Sequence, residues 1–140
     1  MNKKEKLKLF WDIIRLINRK NCKGQLKIDE IVLKRFRGRR GLAYGRGKYY
    51  SLKGRPIFGQ YHSKERVIIL SEKEYLFTQI RVLVHKLVHA YKFQVLDYEK
   101  KEEKCDSKRQ RVRLLHNRTF YSHLKIFSKT AQDHIHVVIR

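Results

Sequence analysis

Two histidines four residues apart, His85 and His89, sit in the apolar-periodic run VLVHKLVHAY. On a helix such residues share one face, and their rings lie close enough to meet one metal ion. A third histidine, His116, precedes a second helical pattern in LHNRTFYSHLKIF. Three protein ligands and a fourth position open to water is the arrangement of a catalytic zinc site. The competing account of a histidine pair on a helix is two satisfied polar groups beside a core. Lys86 lies between the pair. His123 follows His116 by seven residues, about two helical turns, so it could face the same site as an oxyanion donor or outer-shell group. Tyr121 is a weaker candidate for that role. His134 and His136 alternate near the C-terminus, where a strand would put both on one face; a polar strand face accounts for them without a metal.

The elements that must position these groups follow from periodicity. From Lys3 to Lys20, Leu7, Phe10, Ile14 and Ile17 recur at helical spacing opposite Lys and Arg, an amphipathic helix ending near Asn21–Gly24. Gln25 to Leu33 reads as a strand, or as a short helix from Asp29. Leu42–Tyr44 and Lys48–Leu52 are short strand candidates around Gly45-Arg46-Gly47. Arg66 to Leu70, RVIIL, is a β-branched strand. Ser71 three before Glu74 is a capping-box signature opening a helix that runs to about Tyr98, with Ile80, Val84, Leu87, Val88, Tyr91 and Val95 as its buried stripe. Glu99 to Arg113 is a helix extension or a loop. Asn117 to about Ser128 is helical with Phe120, Leu124 and Phe127 inward, and His134 to Ile139 alternates like a last strand. With no repeat, low-complexity tract or linker, residues 1–140 read as one α+β domain.

Charge says what this domain meets. The 140 residues carry 35 Lys+Arg against 13 Asp+Glu, a net of +22. That excess implies a polyanionic partner, nucleic acid ahead of an anionic membrane surface. Residues 1–60 hold a net of +14, residues 61–100 only +2, and residues 101–140 a net of +6. The densest stretch, within 34–60, holds Lys34, Arg35, Arg37, Arg39, Arg40, Arg46, Lys48, Lys53 and Arg55 without one acid, interleaved with Phe36, Tyr44, Tyr49 and Tyr50. Six of the seven glycines fall between Gly38 and Gly59. Cations neutralise phosphates, aromatic faces take unstacked bases, and glycines admit close backbone approach. A solvated basic hairpin with inward aromatics is the alternative. No stretch approaches about 18 uncharged apolar residues, so no membrane span is expected. The N-terminus lacks a signal-peptide pattern, and Cys22 and Cys105 form neither CxxC nor a disulfide framework. An intracellular protein with reduced thiols is expected. Neither a GxxxxGK[ST] phosphate loop nor a dinucleotide-binding context for Gly41–Gly47 is present.

The stretch from VLVHKLVHAY to LHNRTFYSHLKIF resembles the SprT-like metallopeptidases, the Spartan-type DNA–protein crosslink proteases, in which an HExxHA helix precedes HGxxF at the start of a second helix. LFWDIIRLIN, GLAYG and RVIILSEK fall upstream in the family's order, so the resemblance spans nearly the whole chain. Its specific part is His85, His89, Ala90, His116 and Phe120. It implies a zincin-like fold: an N-terminal helix, a small antiparallel sheet, a metal-binding helix and a following helix carrying the third ligand. It implies zinc on His85, His89 and His116, and work on proteins bound to DNA, which puts DNA ahead of RNA.

Three departures matter. Asn117 stands where the family has Gly, a mild change if the position needs a positive φ, which Asn tolerates. The spacing from His89 to His116 is long, and the excess, a charged insertion at about 97–113, would overhang the site as a lid, partner surface or second DNA contact, or would be a solvated loop. The largest is Lys86 at the catalytic position of the family's Glu. That Glu takes a proton from metal-bound water and passes it to the leaving amine. An ammonium cannot, and losing a general base forfeits about 10²–10⁴ in rate. Peptidase activity is expected to be lost or reduced unless Lys86 is deprotonated by burial or a carboxylate such as Glu102, Glu103 or Asp106 replaces it; an inactivating change is the simplest reading. Two further functions compete: a non-enzymatic DNA- or RNA-binding protein reusing the fold, and a metal-dependent nuclease, whose site would normally be rich in Asp and Glu.

Overall fold

The computed structural model describes residues 1–35, 42–45, 48–51, 58–96, 101 and 104–138. Helix α1 (Lys3–Asn21) begins at Asn2, whose side chain accepts from the Glu5 N–H at 2.8 Å. It ends at Asn21, where Lys23 and Gly24 take left-handed backbone and the Gly24 N–H turns back to the Asn18 carbonyl. Strands β1 (Glu30–Lys34), β4 (Gly59–His62) and β5 (Val67–Ser71) form one sheet in the order β1-β5-β4. Strands β2 (Leu42–Gly45) and β3 (Lys48–Ser51) form a separate antiparallel pair. Three helices follow: α2 (Leu76–Gln94), α3 (Lys108–Leu115) and α4 (Arg118–Val138).

The α+β class is as expected, but the main sheet is mixed rather than antiparallel. β1 runs parallel to β5, Glu30 opposite Val67 and Lys34 opposite Ser71, while β4 runs antiparallel to it. Central β5 is buried at all five positions, which is why RVIIL reads as an unbroken apolar run. Its Ile68 and Leu70 face the main core with Ile31 and Leu33 of β1, while Val67 and Ile69 pack with Val32 on the other face. The main core adds Phe10, Ile13, Ile14 and Ile17 of α1, the α2 stripe, and Phe120, Phe127 and Ala131 of α4.

Ser71 does not cap α2. It completes β5, its N–H donating to the Phe58 carbonyl and its own carbonyl accepting from Gln79 Nε2 at 2.9 Å. The helix therefore starts later, at Leu76, with Tyr75 as a cap lacking a side-chain bond. Ile80, Val84, Leu87 and Val88 are buried as expected, and Tyr91 and Val95 are half-buried. The expected last strand at His134–Ile139 is instead the end of α4. Buried Ala131 and the bond from Thr130 Oγ1 to Asn21 Oδ1, 2.9 Å, tie that helix to α1. On a helix His134 and His136 diverge by about 200°. His134 is half-buried and His136 exposed, so they are no metal pair.

Gly59 sets the approach of α2 to the sheet. A Cβ there would lie 2.5 Å from Val82 Cγ1 and 2.9 Å from the Ile69 carbonyl oxygen. Because the second neighbour is β5 backbone, which cannot turn aside, Gly59→Ala must shift β4 against β5 as well as displace Val82 of α2. It should cost about 1–3 kcal/mol, read as a lower urea midpoint with unchanged m-value.

Candidate metal centre

The central turns of α2 carry His85 and His89, and the turn between α3 and α4 carries His116. The three present ligand atoms all within 4.8 Å of one another, the only such group of His, Cys, Asp or Glu among the described residues. His89 Nε2 lies 3.1 Å from His85 Nε2. Two nitrogens bound to one tetrahedral zinc at about 2.05 Å stand about 3.3 Å apart, so the pair is spaced as co-ligands. The ring centroids of His116 lie 4.8 Å from those of His89 and 5.4 Å from those of His85. Phe120 forms the floor, stacked on His89 at 4.7 Å and edge-on to His85 at 4.8 Å. The third ligand thus lies in a connection and not on the following helix, because His116 is the C-terminal cap residue of α3.

An outer bond orients one of the three rings. His116 Nδ1 is 3.2 Å from the Val112 carbonyl; donating there leaves its Nε2 lone pair for a metal. His89 is buried, and its Nδ1 has no hydrogen-bond partner among the described residues. Burial, then the cations Lys86 and neighbouring histidines, pushes His89 down to about 2 and His85 down to about 4. Both rings are therefore neutral at pH 7, the form that binds a metal.

Lys92, absent from the sequence-based candidates, is fully buried beside them. Its Nζ donates to the Leu114 carbonyl at 2.9 Å, the Leu115 carbonyl at 3.0 Å and Asn117 Oδ1 at 3.0 Å. It also lies 5.6 Å from the Phe120 ring centroid. Burial, with Lys101 adding to it, pushes its ammonium down to about 8, still charged at neutral pH. Lys92 thereby ties α2 to the segment that presents His116. Its register was the available signal, since 85, 89 and 92 recur at i, i+4 and i+7 on one face. Asn117 Oδ1 also accepts the Phe120 N–H at 3.1 Å, capping the first turn of α4. Asn117 is not in left-handed backbone, which among described non-glycine residues only Lys23 and Arg66 adopt. Capping, not a positive φ, is what the residue does here.

Lys86 is half-buried, and burial lowers its pKa. It lines, with His85, an open cleft of about 760 Å³ between α2, α4 and the start of β4. Phe77, Ile80, Val84, Leu124 and Ile135 make most of that wall apolar, and no carboxylate among the described residues lines it. Asp106 is exposed at the far end of α3, about 12 Å of helix from His116, so it supplies no base. Glu102 and Glu103 lie outside the described residues. His123 is not among the converging rings. Its Nδ1 bonds the Thr119 carbonyl at 2.8 Å, and its ring sits against Tyr91 and Phe127. Tyr121 is exposed.

Most of the nucleic-acid candidates lie outside the described residues. Lys34 and Arg35 are exposed at the end of β1, while Tyr44 pairs with Tyr49 and Gly45 with Lys48 across β2 and β3. Arg37, Arg39, Arg40, Arg46, Lys53 and Arg55 lie outside the described residues. Part of the charged insertion is α3. No helix among the described residues is long and apolar enough to cross a membrane. No protein-family model matches the chain, and no curated protein or solved structure matches it either.

Two expectations follow. Lys92→Met strips three oxygens of their buried donor and should lower stability by about 2–4 kcal/mol, weakening metal binding more than Lys92→Arg does; chemical denaturation and metal titration measure both. In metal-free protein, His85 and His89 have folded pKa values below the unfolded value of about 6.5. The unfolded chain therefore takes up protons first as pH falls, so stability is complete above about 6.5 and declines toward pH 4. The loss approaches about 1.4 kcal/mol per pH unit for each ring, seen as a falling Tm.

Proposed function

We propose that this chain is a SprT-like, zincin-type domain that binds zinc through His85, His89 and His116 and works on or at proteins bound to nucleic acid. The observation that carries the reading is the 3.1 Å separation of two imidazole Nε2 atoms, with a third ring presented to them from another element. Zinc suits an all-imidazole donor set. When bound it would supply a Lewis acid at the His85 end of the cleft. The chain's own residues hold the ligands neutral, orient His116 through the Val112 carbonyl, and shield one side with Phe120.

The general base is what the centre lacks. Lys86 occupies that position, and no carboxylate reaches the cleft among the described residues. Peptidase activity is accordingly lost or reduced, leaving a metal-stabilised binding domain. Burial lowers the Lys86 pKa. The net charge of +22 supports a nucleic-acid partner, DNA ahead of RNA. An all-histidine site argues against a nuclease of the acidic, multi-metal kind.

Protein purified without chelator should hold about one zinc per chain and lose it in His116→Ala, measured by elemental analysis. Lys86→Glu should raise cleavage of a DNA-bound protein by about 10²-fold or more over the unaltered chain. Absence of metal from both proteins would leave a basic nucleic-acid binder, and equal cleavage by both would remove Lys86 as the cause of inactivity.

A further inference from the structure

The later part of the charged stretch forms helix α3. Helix α3 is eight residues long, KRQRVRLL, and none of its described side chains is buried; Leu114 and Leu115 are half-buried. So short a helix is marginal alone, and with so little apolar contact it cannot dock itself. Ser107 caps its N-terminus by accepting the Gln110 N–H at 3.2 Å. Its C-terminus is held by Lys92, through the Leu114 and Leu115 carbonyls, and it ends on His116. The C-terminal end of α3 is thus held by the Lys92 ammonium and runs directly into His116.

What α3 shows to solvent is cationic. Arg109, Arg111, Arg113 and the following Arg118 are all exposed, and no acid pairs with them among the described residues. Arg109 and Arg113, at i and i+4, project from one face about 6 Å apart along the axis. Exposed Val112 lies between them in sequence. A protein that only needed solubility would not require unpaired guanidinium groups here, and the guanidinium fork matches phosphate oxygens.

We propose that α3 is a phosphate-contacting helix for duplex nucleic acid, and that because His116 terminates it, nucleic-acid binding and metal binding are thermodynamically linked. The proposal rests on the zinc reading above. With metal bound, His116 is fixed and α3 is held in one place. Without it, the helix keeps the Lys92 anchor and the ring contacts of His116, a looser hold, and contact with phosphates must offset more of the cost of ordering it. Linkage is reciprocal, so duplex DNA raises zinc affinity by the factor by which zinc raises duplex affinity.

The test uses the full chain and a random-sequence duplex of about 20 base pairs, titrated over a range of salt with zinc-loaded protein and with protein freed of zinc by dialysis. Zinc content is measured in every sample. Expected are duplex binding weaker by about 5-fold or more after zinc removal, and zinc binding tighter by the same factor when duplex is present. The double variant R109A/R113A should bind duplex more weakly, with a salt slope shallower by about 2. It should keep its zinc and lose most of the response to zinc removal. That last comparison separates a route through α3 from general loosening of the fold. Zinc bound with duplex affinity unmoved by its removal overturns the linkage alone. Zinc absent throughout overturns the metal reading and the linkage together. A salt slope unchanged in R109A/R113A, or α3-dependent binding to phosphatidylserine vesicles without duplex binding, overturns the phosphate-contacting helix.

Discussion

Three oxygen acceptors converge on the buried ammonium of Lys92, and the geometry of the three-histidine cluster depends on that convergence. An ammonium moved from water into a protein interior costs several kcal/mol unless its protons are all satisfied. Here the Leu114 and Leu115 carbonyls and Asn117 Oδ1 satisfy them at 2.9–3.0 Å. A lysine suits the task because its three donors leave a compact point, where a planar guanidinium would need a wider fork of acceptors. The result is that α2 carries two of the candidate ligands on its own turns and secures the third through a side chain three residues further along.

The same arrangement puts two cations close to the histidine pair. Lys86 and Lys92 both lower the His89 pKa, after burial, and Lys86 lowers that of His85. Neutral imidazole is what a divalent ion requires, so the cations prepare the ligands even as they repel the ion itself. Carboxylates near a metal would do the opposite on both counts. Among the described residues no carboxylate lines the cleft, so the electrostatics there are set by imidazoles and lysines. Charge elsewhere is partitioned in the same sense, with a near-neutral middle third around the centre and basic flanks.

Local patterns were legible where burial follows helical or strand periodicity. The stripe through Ile80, Val84, Leu87 and Val88 and the RVIIL strand were readable because one element buries one set of positions. The histidines were readable for the same reason, since i and i+4 share a helical face. The misreadings have their own physics. His134 to Ile139 alternates over too few residues to separate a strand from the end of a long helix, and contacts of Ala131 and Thr130 with the rest of the core decide it. Ser71 has the right residue type for a cap, but β5 claims its backbone first.

By itself the sequence determined most of the helices and strands, the histidine pair with Lys86 inside it, and the basic character of the chain, because these depend on residue identity and short-range spacing. Only the tertiary structure decided three other things. The parallel pairing of β1 with β5 joins segments more than thirty residues apart, a choice made by core packing rather than by either strand. His116 comes to the pair through the α3–α4 turn, and Lys92 becomes the group that holds that turn. Lysine in an amphipathic helix is ordinarily a solvated residue. It becomes a buried anchor only when another segment brings enough oxygens to offset its desolvation, and that segment lies more than twenty residues away.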